Sequence, residues 1–208
     1  MFTRQSLVDL FSGYDLPVVN ITAVAECRDF VTPAKALGLP PFALLLHGIA
    51  RASLTVPAFR WRLLDGKPVE VRGLTVSYTV VGADGNLNFS TFRHDDDRAV
   101  FLERYLADRE VARAATAEKL RLDPLEGRDY VFVTCMPWLR FTQIQHPLAR
   151  RGDCSIPNVA IGRFRHEGGR VSFPFSVQAH HGLVDGFHVH QLIQAVEAGM
   201  DALVEELG

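Results

Sequence analysis

The sequence predicts one α/β domain, in the loose sense that includes α+β folds, with helices covering a mixed β-sheet. Strand-like and helix-like segments follow one another irregularly, without the strict strand–helix–strand alternation of a doubly wound fold. The 208 residues are 48% hydrophobic, which is enough for a single core. No repeat, low-complexity tract or interdomain linker interrupts them. We therefore expect a single domain spanning residues 1–208.

The chain contains five predicted helices, and the longer ones carry apolar residues at three- and four-residue steps. The third begins at Pro41, a residue suited to the first turn of a helix. The fourth follows the run His94-Asp95-Asp96-Asp97, which we interpret as a helix cap rather than a metal site because no further ligand lies at helical spacing. The predicted helices are Arg4 to Phe11, Phe30 to Leu37, Pro41 to Leu54, Ala99 to Leu120 and Gly186 to Leu207.

The strands are predicted from alternation of apolar and polar residues, or from short apolar runs between turn residues. Asp65-Gly66 and Glu167-Gly168-Gly169 are turn sequences suited to positive φ, and each predicts a hairpin. The nearly continuous apolar run from Tyr130 to Met136 is typical of a strand buried on both faces. The predicted strands are Pro17 to Cys27, Trp61 to Leu64, Pro68 to Val71, Thr75 to Val81, Leu87 to Phe92, Tyr130 to Met136, Leu139 to Ile144, Asn158 to Arg165 and Arg170 to Gln178.

The last predicted strand delivers two adjacent histidines, His180 and His181, before a glycine-flanked turn and the final helix. An imidazole held rigidly at such a junction titrates near neutrality, so it is a candidate general base. From the pattern alone, one buried and one solvated ring is an equally good interpretation. His188 and His190 follow closely, but two positions apart at the start of a helix they point to different sides, so we expect no metal.

Composition excludes several functional classes. A net charge of −2 and a pI near 6.4 argue against a general nucleic-acid or anionic-membrane surface. The three cysteines form no Cys-x-x-Cys pair, which favours a reducing cytoplasm. The longest apolar stretch is far shorter than the ~20 residues that span a bilayer. Phosphate-binding, dinucleotide-binding and nucleophile-elbow glycine motifs do not occur.

The stretch from His180 to Gly186 has the form HHxxxDG and resembles the signature of the chloramphenicol acetyltransferase superfamily. Condensation domains of peptide synthetases and the acyltransferase cores of 2-oxo acid dehydrogenase complexes share related motifs. The former need two such lobes and the latter add a lipoyl domain, so the length favours the acetyltransferases. The resemblance covers essentially the whole chain and is carried in order by Leu64-Asp65-Gly66, Tyr78-Thr79-Val80, Phe89-Ser90, Pro137-Trp138, Phe141-Thr142 and Ser176 to His181.

The resemblance implies a two-layer fold, a homotrimer and active sites between subunits. It implies an acetyl-CoA-dependent O-acetyltransferase in which His181 is the general base and no acyl-enzyme forms. Asp185 corresponds to a structural aspartate whose partner is Arg4, and His180 and His188 would be structural. The partners would be a CoA thioester and a small hydroxylated acceptor.

The remaining site residues also come from the resemblance. It places Phe11, Phe89 and Thr142 at the acceptor pocket and Phe164 against the adenine of CoA; core packing also accounts for the three phenylalanines. Gln143 stands where the family's oxyanion-binding serine is expected. Ala160 replaces a threonine that holds the intermediate through water.

These two replacements leave alternatives open. The acceptor is then expected to differ from chloramphenicol, or the protein binds its ligands and has little activity. A third alternative is an acyl-carrier-protein donor in a biosynthetic pathway. The sequence gives neither the acceptor nor the acyl length, and it does not distinguish antibiotic resistance from biosynthesis.

Overall fold

A computed structural model describes residues 2–116, 129–148 and 154–208 of the chain. Its helices are α1 (Gln5–Phe11), α2 (Val31–Ala36), α3 (Pro41–Thr55), α4 (Arg98–Ala114) and α5 (Gly186–Leu207), with a 3₁₀ turn at Pro57–Arg60. Its strands are β1 (Val18–Arg28), β2 (Trp61–Leu64), β3 (Lys67–Glu70), β4 (Thr75–Val81), β5 (Leu87–Arg93), β6 (Tyr130–Cys135), β7 (Asn158–Ile161), β8 (Arg165–Glu167) and β9 (Arg170–His180). No helix among these residues is long and apolar enough to cross a membrane.

The main sheet is mixed, as the sequence predicts. Its order is β1-β9-β7-β6-β4-β5, with β8 added on β9, and β2 pairs with β3 in a separate hairpin. The pairs β4–β6 and β6–β7 are parallel and the others are antiparallel. The long helices α3, α4 and α5 contact one another or the sheet.

The two faces of the sheet differ in chemistry. The strand pairing shows which residues belong to each face, because directly paired residues lie on the same side of the sheet. One face is apolar and belongs to the core with the helices; it includes Val76, Val133, Val159 and Val177. The other, here called the second face, carries Asn20, Thr22, Ser77, Phe89, Phe132, Thr134, Asn158, Ala160, Ser176 and Gln178. A cavity lined by hydroxyl side chains, described below, opens on this second face.

Side chains of the helices cover parts of both sheet edges. On β1, the outward amides of Glu26 and Arg28 donate to the carboxylates of Glu197 and Asp201 on α5, at 2.8 and 2.7 Å. On β5, the Thr91 amide donates to Asp108 of α4 at 2.6 Å. Because edge amides are templates for pairing with another strand, these contacts close the covered stretches.

The turn and cap predictions are confirmed. Asp65 and Gly66 have φ of 49° and 74°, and Gly168 and Gly169 have φ of 57° and 76°. The Asp97 carboxylate accepts from the amides of Ala99 and Val100, so the acidic run caps α4.

Four predicted elements differ from those of the structure. Leu139 to Ile144 forms no strand: Leu139 bonds to the backbone of Met136 and Arg163, and the Ile144 carbonyl accepts from a side chain. The predicted strand Asn158 to Arg165 is divided into β7 and β8. Between them, the three residues 162–164 lie opposite only two residues of β9, Phe173 and Pro174. This extra residue makes a bulge that interrupts the pairing. Pairing with β1 extends β9 to His180. The fourth helix ends at Ala114, and residues 117–120 of the prediction lie outside the described residues.

Candidate active site

The two histidines at the end of β9 have different environments. His180 is the last paired residue of the strand, opposite Val18, and is only 2% exposed. Its Nδ1 accepts from the Gly182 amide at 3.1 Å, and its carbonyl accepts from the amides of Leu183 and Val184, both at 2.9 Å. His180 therefore closes the turn, while the half-buried His181 is the ring that solvent can reach.

The geometry of the His181 ring fixes its tautomer. Its Nδ1 lies 3.1 Å from the carbonyl oxygen of Val184. A carbonyl oxygen can only accept, so Nδ1 carries the proton and Nε2 of the neutral ring keeps its lone pair. The His181 amide donates to Pro17 at 2.8 Å, and the ring lies against Phe11 with centroids 4.2 Å apart. In the neutral tautomer that this contact selects, Nε2 is therefore the nitrogen with the free lone pair, as a general base requires.

Arg4 and Asp185 brace the turn that follows. The Nε of Arg4 donates to the Gly182 carbonyl at 3.1 Å, and its guanidinium forms an ion pair with Asp185 at 2.8 Å. Asp185 is the N-cap of α5 and accepts from the amides of Phe187 and His188. Burial acts to raise the pKa of the Asp185 carboxyl, but the hydrogen bond from Arg4 and the neighbouring His188 outweigh it and lower the pKa. This carboxylate is therefore charged and bonded to the scaffold.

His188 contacts Asp185 rather than His181. Its Nδ1 lies 2.8 Å from the Asp185 carboxylate and 3.3 Å from the Asp185 amide. One nitrogen cannot donate to the first and accept from the second, and the shorter contact with a charged oxygen is the stronger. No group of three or more metal-ligating side chains occurs among the described residues.

The second notable feature is a cavity of about 830 Å³, here called the arginine cavity. Arg109, Arg113 and Arg163 line it together with the aromatic rings of Trp138 and Phe164. Phe164 also packs against Phe30 and Phe173, with centroids 5.8 and 5.1 Å away. Positive charge beside flat apolar surface suits a phosphorylated ligand that contains a ring.

A second cavity of about 640 Å³, here called the hydroxyl cavity, opens on the second face. Its walls combine hydroxyl and aromatic side chains. They include Ser77, Thr79, Thr91, Tyr130, Phe89 and Phe132. Tyr78, Thr79, Leu87 and Thr134 line both this cavity and the arginine cavity, so the two cavities adjoin at these residues.

The predicted site residues fall into three groups. Phe11, His181, Arg4 and Asp185 come together at the end of β9. Phe89 and Phe164 line the hydroxyl and arginine cavities, respectively.

The third group lines neither cavity. Gln143 and Thr142 are exposed in an irregular segment. Ala160 is fully buried on β7, directly beside Thr134 of β6. Gln143 is therefore not brought to either cavity within one chain.

Three residues at the site were missed by the sequence prediction. Thr134 lies where the cavities adjoin, and its only signal was a hydroxyl that interrupts an apolar run. His146 lines the hydroxyl cavity, and Gln178 binds the His146 backbone. Nothing in the local sequence indicates that contact, since the two residues are 32 positions apart.

Comparisons with known proteins agree along nearly the whole chain. A family model described as chloramphenicol acetyltransferase matches residues 2–197. A chloramphenicol acetyltransferase of Proteus mirabilis is 33% identical over 201 residues, and one of Escherichia coli is 29% identical over 202; each match covers 95% of this chain and 90% of the relative. A solved chloramphenicol acetyltransferase has a TM-score of 0.80 at 23% identity, with 96% of each chain covered.

The Arg4–Asp185 pair yields a prediction for stability. Asp185→Ala removes a helix cap and an ion-paired acceptor, so we expect a loss of about 2–3 kcal/mol in the free energy of unfolding by urea. Asp185→Asn keeps the cap and loses only the ion pair, so its loss is smaller. Arg4→Gln combined with Asp185→Asn gives less than the sum of the single losses; strict additivity contradicts the pairing.

The same pair gives a dependence on pH. The pKa of Asp185 is lower in the folded protein than in the unfolded chain, so its contribution is fully present above about pH 4 and is lost as the pH falls through the folded value. The wild type therefore loses more stability than Asp185→Asn below pH 4. Equal losses contradict the assignment.

Proposed function

Because the chain belongs to the chloramphenicol acetyltransferase family and is therefore an acyltransferase, we propose that it transfers the acetyl group of acetyl-CoA to a hydroxyl of a small molecule. The acceptor is chloramphenicol or another hydroxylated compound. The cytoplasmic location stays a prediction.

The observation that carries this proposal is the junction of the two cavities at Thr134. CoA has an adenine ring and phosphates, which suit Phe164 and the three arginines of the arginine cavity. A small acceptor with an apolar body fits the aromatic walls of the hydroxyl cavity. The thioester and the acceptor hydroxyl would then meet where the cavities adjoin.

In the proposed reaction, Nε2 of His181 takes the proton of the acceptor hydroxyl while that oxygen bonds to the thioester carbonyl carbon. The carbonyl oxygen becomes an oxyanion, and the Thr134 hydroxyl donates a hydrogen bond to it. As the carbon–sulfur bond breaks, the imidazolium returns the proton to the sulfur, so CoA leaves as the thiol. The Nδ1–H bond to Val184 holds the ring throughout.

Two features support a site assembled between subunits of a homotrimer. His181 lines neither cavity of its own chain. In addition, the backbone amides of Asn20, Thr22 and Val24 point outward from the edge strand β1. Side chains of α5 accept from the outward amides of Glu26 and Arg28, but among the described residues nothing accepts from these three, and Val24 is 68% exposed. We propose that a neighbouring subunit supplies His181 to the cavities.

Thr134 takes the proposed oxyanion role in place of Gln143, which is exposed and lines neither cavity. This assignment weakens the alternative of a binding protein with little activity, since a hydroxyl donor is present at the junction. Ala160, beside Thr134, leaves the acceptor site without the threonine that the resemblance implies. An acceptor other than chloramphenicol therefore remains part of the proposal.

His181 yields the first test of this function. We expect His181→Ala to lower kcat by roughly 10²–10⁴, because the general base is lost. The assay follows CoA release from acetyl-CoA with chloramphenicol and with a panel of other alcohols and amines. His190→Ala, at an exposed position of α5, is the matched control and should keep wild-type activity. Wild-type activity in His181→Ala, or no acceptor that exceeds hydrolysis, contradicts the proposal.

A second test separates Thr134 from Gln143. Thr134→Ala removes the proposed oxyanion donor, so kcat should fall by roughly 10²–10³, while Thr134→Ser should keep most of it. Gln143→Ala should remain within about twofold of wild type, since an exposed side chain outside the junction makes no such bond. The reverse order of effects would return the oxyanion role to Gln143.

A further inference from the structure

The helix α4 lies along the edge strand β5, and polar side chains attach it to that strand. In the first half of the helix, the Arg104 guanidinium donates to the carbonyl oxygen of Arg93 at 3.0 Å. One turn later, the Asp108 carboxylate accepts from the Ser90 hydroxyl at 2.7 Å and from the Thr91 amide at 2.6 Å. The helix therefore runs antiparallel to the strand, and Asp108 attaches its second half.

This attachment matters because the core holds the two halves of α4 unequally. Asp97 caps the first turn, and Phe101 and Tyr105 are buried in the core. After Tyr105, Ala112 is the one buried residue of α4, and its methyl group buries little apolar surface. The two hydrogen bonds of Asp108 are therefore a major part of what holds the second half in place.

The second half of α4 carries side chains of the arginine cavity. Arg109 and Arg113 line this cavity, and Arg109 directly follows Asp108 in the helix. The strand β5, in contrast, is paired with β4 along its whole length. Loss of the Asp108 bonds would therefore displace the helix and its arginines, while the strand and the hydroxyl cavity keep their places.

Asp108 is chemically matched to this task. Both hydrogen bonds end on the same oxygen, Oδ2, and both are short, as a charged acceptor favours. Ser90 is fully buried, and its hydroxyl has a single proton to donate. Asparagine in place of Asp108 would keep an oxygen with two lone pairs, whereas leucine, of similar size, accepts neither bond.

We propose that Asp108 is a positioning residue for the thioester donor, because its bonds to β5 keep Arg109 and Arg113 at the arginine cavity. This inference rests on the proposed function, which places CoA in that cavity. Asp108 lines neither cavity, so it acts through the helix. When the helix can leave its position, only a fraction of the molecules has a complete cavity, and the apparent dissociation constant of CoA rises by the inverse of that fraction.

CoA binding, measured by titration calorimetry, tests the role of Asp108. We expect Asp108→Leu to raise the dissociation constant of CoA by roughly 5- to 50-fold, because two hydrogen bonds to one acceptor are lost. Asp108→Asn should stay within about threefold of the wild type, since it keeps the acceptor oxygen. Glu103→Leu makes a comparable exchange at an exposed position of the same helix and should leave the dissociation constant unchanged.

Steady-state kinetics separate positioning from a general loss of structure. In an assay of CoA release, Asp108→Leu should raise the KM of acetyl-CoA by a similar factor, while kcat and the KM of the acceptor stay within about twofold of the wild type. Equal increases in both KM values contradict the positioning role. An Asp108→Asn variant that binds CoA as weakly as Asp108→Leu contradicts it as well.

Ser90→Ala provides a second variant if Asp108→Leu does not fold. It removes one of the two bonds from the strand side, so CoA should bind roughly 2- to 10-fold more weakly. A wild-type dissociation constant in Asp108→Leu, or in Ser90→Ala where Asp108→Leu does not fold, contradicts the positioning role and leaves the acetyltransferase intact. A wild type that does not bind CoA contradicts both proposals. A wild type that binds CoA but acetylates no acceptor contradicts the proposed function alone.

Discussion

The site depends on the antiparallel pairing of β9 with β1 on one side and β7 on the other. Side chains alternate along a strand, so this one strand serves both layers. The side chains of Val177 and Ala179 belong to the core, while those of Ser176 and Gln178 lie on the second face. A register slip of one residue would exchange these sets and carry Gln178 away from the backbone of His146. The last pair of the two strands is Val18 with His180, so His181 follows directly after the paired part of β9.

The polar groups around this strand divide into those that are bonded to the scaffold and one, His181, that keeps an unused ring nitrogen. Arg4 and Asp185 form an ion pair, and Arg4 also donates to the backbone. Nδ1 of His180 accepts from a backbone amide, so these groups hold the scaffold together. His181 uses only Nδ1 in this way and keeps Nε2 available. The arginines of the arginine cavity lie apart from this group. A neutral base beside a satisfied scaffold can accept a proton without disrupting the bonds that position it.

The sequence alone was sufficient for the features that are encoded locally. Asp65-Gly66 predicts its turn because few residues adopt positive φ, and His180 to Gly186 is contiguous, so its motif is visible without a fold. Long-range partners were not predictable in this way. The contact of Gln178 with His146 and the junction at Thr134 arise from strand order, which no local pattern specifies. The resemblance places the oxyanion donor at Gln143, which stays a prediction, and it does not point to Thr134, which the sheet brings to both cavities.

The central claim is that His181 of one subunit acts on the cavities of another. Co-refolding equal amounts of His181→Ala and Thr134→Ala chains tests it most directly. In randomly mixed trimers, about a quarter of the interfaces would combine an intact His181 with an intact Thr134, so roughly that share of wild-type CoA release should return. Both parent proteins should remain near background. A mixture no more active than its parents would place the whole site within one chain and contradict the account.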